Sequence, residues 1–290
     1  MKILRARHMG FCYGVKRAVQ LSENEIGAAK ATYTLGPIIH NPQVVAKLHA
    51  AGIETWAEGQ PLPAEGQVII RSHGVGPDVY HRVEAAGLDL IDATCPNVQQ
   101  AQQAAKALYD AGYAVVIVGE AKHPEVKGIA AWAPGCAVVE TPAEAQLLPL
   151  AAKRGVVVQT TFTQQAFHDI LAILENSSDE CVVKKTICAA TANRQNAAVE
   201  LAGQVDVMVV IGGRNSANTT HLYELVAERC PRSYHVETGQ DITPDMLAGA
   251  ATVGITAGAS TPDWLIEEVC STMESMEQEM AKEAVVLQKG

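Results

Sequence analysis

One pattern recurs three times along this chain and restricts its fold more than any single motif. A cysteine stands just before a helical stretch in Gly10-Phe11-Cys12-Tyr13-Gly14, Ala93-Thr94-Cys95-Pro96-Asn97 and Thr186-Ile187-Cys188-Ala189-Ala190. A second loop follows each: Gly36-Pro37-Ile38-Ile39-His40, Gly119-Glu120-Ala121-Lys122-His123 and Gly212-Gly213-Arg214-Asn215-Ser216. His40, His123 and Ser216 each lie 28 residues after their cysteine. A third loop comes later, in Arg71-Ser72-His73-Gly74, Gln159-Thr160-Thr161 and Thr256-Ala257-Gly258-Ala259-Ser260. Self-similarity at a fixed period marks a repeated supersecondary unit. The expected units are 1–94, 95–187 and 188–274, followed by a charged tail, 275–290, in which Ala284–Leu287 could add a strand.

Between these loops, short β-branched runs alternate with alanine-rich helical stretches. Lys2–Ala6, Thr32–Leu35, Val68–Arg71, Leu90–Asp92, Tyr113–Val118, Val156–Gln159, Val205–Ile211 and Thr252–Thr256 read as strands. Val15–Ala28, Val98–Ala111, Gln164–Leu174, Thr219–Glu228 and Trp264–Met280 carry helical periodicity. Strand alternating with helix predicts an α/β protein with mostly parallel sheets. Ligands of such sheets gather at the carboxyl ends of the strands, where the recurring loops lie. The expectation is three pseudo-symmetric α/β units, each bringing one cysteine and several polar groups to a shared central site.

Composition excludes several classes. A net charge of −10 argues against nucleic acid and an anionic membrane surface as partners. No signal peptide is read at the N-terminus, and no apolar run approaches the roughly 20 residues that span a bilayer. A cytoplasmic protein with no membrane partner is expected, and a monomer. Seven cysteines, an odd number without a C-x-x-C pair, do not suggest a disulfide framework or a zinc ribbon. Any metal site must collect cysteines from distant parts of the chain.

Cys12, Cys95 and Cys188 brought together at helix N-termini would form a ring of three thiolates, favoured there by backbone N–H groups and the helix dipole. Two metals suit such a ring. Zinc needs a fourth protein ligand or water, whereas an iron–sulfur cluster held by three of its irons keeps the fourth open as a Lewis acid. Three buried structural thiols are the plain alternative. Cys136, Cys181, Cys230 and Cys270 have no repeat counterparts and read as packed thiols. Cys181 remains a rival to Cys188 as third ligand, and the 28-residue interval favours Cys188. His40, His73, His123, Thr160, Ser216, Asn218 and Ser260 are hydrogen-bond donors on the second and third loops. Singly, such residues most often cap helices; together they suit a phosphate or diphosphate. No Walker-type loop is present, so a nucleotide is not favoured. Glu125, two residues after His123, reads equally as a first-turn helix glutamate or as a proton donor whose acid form is favoured in an anion-binding cavity. A zinc- or anion-binding protein, and a sugar-phosphate enzyme with structural cysteines, stay open on these grounds.

Specific motifs extend the reading over nearly the whole chain. They include Gly10-Phe11-Cys12-x-Gly14-Val15-x-Arg17-Ala18, His40-Asn41, Ser72-His73-Gly74, Asp92-Ala93-Thr94-Cys95-Pro96, His123-Pro124-Glu125-Val126 and Gln159-Thr160-Thr161. Further along stand Ile187-Cys188-x-Ala190-Thr191-x-Asn193-Arg194-Gln195, Asn215-Ser216-x-Asn218-Thr219 and Thr256-Ala257-Gly258-Ala259-Ser260-x-Pro262-Asp263. With these the sequence resembles the IspH/LytB family of 4-hydroxy-3-methylbut-2-enyl diphosphate reductases. The resemblance implies a trefoil of three α/β units around a central [4Fe–4S] cluster, with Cys12, Cys95 and Cys188 as ligands. It implies diphosphate binding by His40, His73, His123, Ser216, Asn218 and Ser260, with Glu125 and Thr160 near the substrate hydroxyl and Thr191 lining the pocket. It implies two-electron reductive removal of the C4 hydroxyl to isopentenyl and dimethylallyl diphosphates, the last step of the non-mevalonate isoprenoid pathway, with electrons from a ferredoxin or flavodoxin. Ala217 stands where some members carry serine, and Tyr13 and Lys16 where others carry alanine and aspartate. None of these departures removes a ligand.

Overall fold

The computed structural model describes residues 1–57 and 59–287. The first elements are β1 (Lys2–Arg5), α1 (Tyr13–Glu23), β2 (Thr32–Leu35), α2 (Pro42–Ala50), β3 (Ile53–Trp56), β4 (Gln67–Ile70), α3 (Pro77–Ala85) and β5 (Asp89–Asp92). Next come α4 (Pro96–Asp110), β6 (Ala114–Val118), α5 (Pro124–Ala130), β7 (Ala137–Val139), α6 (Pro142–Gln146), β8 (Ala151–Val158), α7 (Gln164–Asn176) and β9 (Ser178–Lys184). The last are α8 (Ala189–Ala202), β10 (Val207–Ile211), α9 (Ala217–Arg229), β11 (Ser233–Val236), α10 (Pro244–Leu247), β12 (Thr252–Ala257) and α11 (Asp263–Leu287). Two compact units result: one holds residues 1–12, 40–42 and 189 onward, the other residues 13–39 and 43–188.

Among the described residues the strands form three four-stranded parallel sheets, ordered β3-β2-β4-β5, β7-β6-β8-β9 and β11-β10-β12-β1. Each order is the same: the first strand of the set is central, the second lies outside it, the third lies on its other side, and the fourth closes the far edge. In the third sheet the fourth place is taken by the N-terminal β1, with Lys2 opposite Thr252 and Arg5 opposite Ile255. Lys2–Arg5, which the sequence period groups with residues up to 94, thus hydrogen-bonds to a strand near the other end of the chain. The cysteine loops follow the fourth strands β1, β5 and β9. The second loops follow the central β2, β6 and β10, and the third loops follow β4, β8 and β12. Parallel strands put all these loops at carboxyl ends.

The central strands explain why the sheets hold. Every residue of β10 is buried. Val207, Val209 and Ile211 pack against Leu265, Ile266 and Val269 of α11, whereas Met208 and Val210 pack against Ala198 and Leu201 of α8 and Leu222 and Val226 of α9. The period of two thus serves both faces, and strands of this kind read as continuous apolar runs. In β6, Val116 and Val118 face the side of α7, and Val115 and Ile117 face α4 and α5. Each such side chain contributes about 1.5–3 kcal/mol by burial. Among the described residues six helices start on a proline, at Pro42, Pro77, Pro96, Pro124, Pro142 and Pro244. Proline suits a first helical position because its missing N–H has no partner there. Pro96 and Pro124 thereby leave Cys95 and His123 at the N-cap positions of α4 and α5.

Where the structure differs from the sequence reading, the reasons are local. Ala284–Leu287 continues α11 and forms no strand, because nothing interrupts the helix after Met280; residues 288–290 lie outside the described residues. Among the described residues the strands β3, β7, β9 and β11 went unread because they are short, as Ala137–Val139 is, or mix polar with apolar residues, as Ser178–Lys184 does. Helix α8 was expected only as a helical stretch after Cys188 and was given no bounds, because it buries Thr191, Arg194 and Gln195 along with its alanines, which erases the apolar stripe. Helix α1 ends at Glu23, earlier than its periodicity suggests.

Candidate functional site

The three cysteine loops share one hydrogen bond. In each sheet the cysteine N–H donates to the carbonyl of the neighbouring third loop: Cys12 to Ala259 at 3.1 Å, Cys95 to Ser72 at 3.0 Å and Cys188 to Thr160 at 2.9 Å. The cysteines are thus tied to loops that carry Ser260, His73 and Thr160 themselves. None of the three is in a disulfide, and all are of intermediate exposure.

In the unit of residues 13–39 and 43–188, a run of contacts joins the candidate groups. Glu125 is 2 % exposed. One carboxyl oxygen accepts from the Thr160 N–H at 2.6 Å and the other from the Thr160 hydroxyl at 2.9 Å. Burial pushes its carboxyl up to about 7, against the opposing effect of the two Thr160 donors and with a smaller push from Glu120. Burial thus favours the proton-bearing form of this carboxyl. The Glu125 N–H donates to Nδ1 of the N-cap residue His123 at 3.1 Å. An accepting ring nitrogen carries no hydrogen, so the proton of the neutral ring sits on Nε2 as a donor. His73 meets His123 edge-on, with ring centroids 5.4 Å apart.

The same unit positions two thiols. Arg17 of α1 donates to the carbonyls of Asp92 and Thr94 at 3.1 and 3.2 Å, which binds α1 to the Cys95 loop. A Cβ on Gly14 would overlap the Cys95 sulfur, so glycine there permits the close approach. The Asn97 side-chain amide donates to the Cys188 sulfur at 3.0 Å.

In the other unit, Cys12 is followed within its loop contacts by Ser260, whose hydroxyl donates to the His40 carbonyl at 3.1 Å and lies 3.4 Å from the Ser216 hydroxyl. Ser216 caps α9, accepting from the Thr219 N–H. Asn218, in the first turn of α9, is 8 % exposed, and its Nδ2 meets no hydrogen-bond partner among the described residues. A buried amide donor without a partner is costly unless a ligand supplies the acceptor. Thr191 is buried in the first turn of α8. Arg194 donates to the carbonyls of Ala190 and Gly10, holding that turn against the Cys12 loop.

Helix capping explains only part of the polar set: His123 and Ser216 are N-caps, whereas His40, His73, Thr160 and Ser260 stand ahead of the next helix. The other cysteines behave as packed thiols. Cys230 and Cys270 are buried. Cys181 lies within β9 against the core that includes Ile170 and Leu174. Burial pushes the thiols of Cys136, Cys181 and Cys270 up, which disfavours the thiolate a metal needs. Sequence reasoning overlooked Asn97 and gave Arg17 no role. The signal for Asn97 was present, an amide two residues after a cysteine in the first turn of a helix.

Cys95, cradled by a glycine, and Cys188, accepting an amide N–H, are partly exposed thiols just before helices in one unit, and Cys12 has the same place before a helix in the sequence; thiols of this kind have the donor chemistry that an iron–sulfur cluster takes. The family model described as LytB protein matches residues 3–274. The 4-hydroxy-3-methylbut-2-enyl diphosphate reductase of Geotalea uraniireducens is 47 % identical over 287 residues, covering 96 % of this chain and 99 % of the relative. That of Caldanaerobacter subterraneus is 44 % identical, covering 96 % and 99 %. A solved structure of (E)-4-hydroxy-3-methyl-but-2-enyl diphosphate reductase, the terminal enzyme of the non-mevalonate pathway, superposes with a TM-score of 0.69 at 43 % identity, covering 95 % of this chain and all of that one. The corresponding Plasmodium falciparum reductase gives a TM-score of 0.86 at 26 % identity, covering 93 % and 87 %. No helix among the described residues is long and apolar enough to cross a membrane. With a match that runs from β1 into α11 and takes in every cysteine loop, the chain belongs to the LytB protein family.

Proposed function

We propose that this chain is an oxidoreductase that converts 4-hydroxy-3-methylbut-2-enyl diphosphate to isopentenyl and dimethylallyl diphosphates. The observation that carries the reading is the buried Glu125 carboxyl, held at both oxygens by Thr160, whose own carbonyl accepts from the Cys188 N–H. A proton source is thus one residue away from a candidate metal ligand. Removing a hydroxyl needs such a source, because water leaves far more readily than hydroxide.

Cys12, Cys95 and Cys188 would hold a [4Fe–4S] cluster. When bound, that cluster supplies electrons singly and a Lewis-acidic iron. The rest of the work belongs to the chain. His73 and the Nε2–H of His123 supply donors to the diphosphate, as do His40, Ser216, Asn218 and Ser260. The Asn218 amide, lacking an acceptor among the described residues, is supported as a ligand contact by that very lack. Thr160 orients Glu125 and relays its proton toward the leaving hydroxyl, and Thr191 lines the pocket. The electron donor is a ferredoxin or flavodoxin, and the enzyme works in the cytoplasm as a monomer.

The test is anaerobic purification with iron and sulfide assay, followed by turnover of the substrate with a chemical reductant. Brown protein with about four irons per chain, forming both five-carbon diphosphates, is the expected result. Colourless protein holding zinc, or iron-replete protein without turnover, overturns the reading.

A further inference from the structure

The Asn97 amide is a polar contact that the proposed reaction leaves without a task. Asn97 is the second residue of α4, directly after the proline that sets the start of the helix and two residues after Cys95. Its Nδ2 lies 3.0 Å from the Cys188 sulfur, and both residues are partly buried. The contact therefore crosses from one cysteine loop to another within a single compact unit. The position is well fixed. Asp92 holds the Thr94 N–H at 2.8 Å and the Gln99 amide at 3.3 Å, one on each side of Cys95 and Asn97. The Cys188 N–H is held in turn by the Thr160 carbonyl.

We infer that Asn97 is a positioning residue that tunes the proposed cluster by donating a hydrogen bond to the Cys188 thiolate. The inference rests on the assignment of Cys188 as a ligand. A carboxamide N–H is a donor that neither titrates nor brings a formal charge, so it acts on the sulfur at every pH. Donation draws electron density from the thiolate and weakens what the sulfur gives to iron. The added electron is then better tolerated, and the reduction potential is higher than it would be without the donor. Hydrogen bonds to sulfur are among the main determinants of such potentials. In the step concerned, one electron from an external reductant enters the cluster, and no bond of the protein forms or breaks. The same amide orients the Cys188 side chain, because the bond requires the sulfur to face α4.

The experiment is a mediated reductive titration of the iron-loaded protein, followed by electron paramagnetic resonance, with iron and sulfide measured on each sample. Asn97→Leu keeps the size of the side chain and removes the donor. Asn97→Asp keeps its shape and places an acceptor against the sulfur. Each variant is expected to load iron like the parent and to shift its one-electron equilibrium about tenfold against the reduced form, a potential lower by roughly 59 mV for one electron. The aspartate variant shifts at least as far as the leucine variant. Parental potentials in fully loaded variants overturn the inference while leaving the functional reading intact. Should Asn97→Leu fail to fold, the aspartate variant decides alone. A Cys188→Ser protein that keeps its full iron content instead overturns the ligand assignment, and the inference with it.

Discussion

Replacing Glu125 by glutamine removes one ionisable proton while keeping both contacts with Thr160. The amide oxygen still accepts from the Thr160 N–H, and the amide nitrogen donates to the hydroxyl that formerly donated to the carboxylate. The two proteins therefore differ mainly in charge. In the folded parent, burial raises the carboxyl from the ordinary 4.5 to about 7. Below the lower value Glu125 is protonated in both folded and unfolded chains and has no pH-dependent effect. Between the two values the unfolded chain has released its proton and the folded chain has not, so stability falls as pH rises, by up to about 1.4 kcal/mol per pH unit. Above the higher value both are ionised and the slope vanishes, with a deficit of about 3 kcal/mol remaining. The glutamine variant lacks this dependence. Urea unfolding of parent and variant under anaerobic conditions, from pH 4 to pH 8.5, should show the variant gaining on the parent through this window and then running parallel to it. Curves that stay parallel throughout would mean that the buried carboxyl is solvated or compensated, and the argument for a neutral acid would fail. Catalysis has the matching signature: parental turnover declines above about pH 7, and the variant is at least ~10²-fold slower at pH 6 while still loading iron.

Three further outcomes are expected. Serine at Cys12, Cys95 or Cys188 should abolish most iron binding, whereas serine at Cys136, Cys181 or Cys230 should leave the iron content unchanged; bleaching by Cys181→Ser alone would transfer the third ligand to Cys181. Asn218→Ala should weaken diphosphate binding in calorimetry roughly tenfold yet leave the ligand-free protein at least as stable, because it deletes a buried donor that lacks a partner; unchanged affinity would reduce Asn218 to a packing role. Gly14→Ala, normally favourable in a helix by roughly 0.5–1 kcal/mol, should destabilise by about 1–3 kcal/mol or lose iron, since the new Cβ meets the Cys95 sulfur; a neutral result would show that α1 can retreat.

How far the fold was legible depends on which residues carried the signal. β6 and β10 were legible to within two residues because buried strands are written as unbroken apolar runs, and β2, Thr32–Leu35, to the residue through its β-branched and aromatic composition. β9 and β11 mix serine, histidine and charge with apolar residues, and α8 buries polar side chains, so neither period of two nor of 3.6 survives in them. Among the polar loop residues, His40, His123 and Ser216 were singled out because they recur at one spacing from a cysteine. The contacts that give them meaning were not, since Asn97 and Cys188 lie 91 residues apart and no local rule links them. The subtlest difference concerns the repeat. Read along the chain, each cysteine opens a unit and is grouped with the two loops that follow it. In the folded sheets each cysteine follows the last strand of a set and donates its N–H to the third loop that precedes it in sequence, as Cys95 does to Ser72 and Cys188 to Thr160. Cys12 has no such loop before it. It is served by Ala259, near the other end of the chain, through the pairing of β1 with β12. The structural period is therefore the sequence period displaced by one strand and closed on itself. This displacement is why β1 is needed at all: without it the third sheet would lack its fourth strand, and Cys12 the carbonyl that holds it.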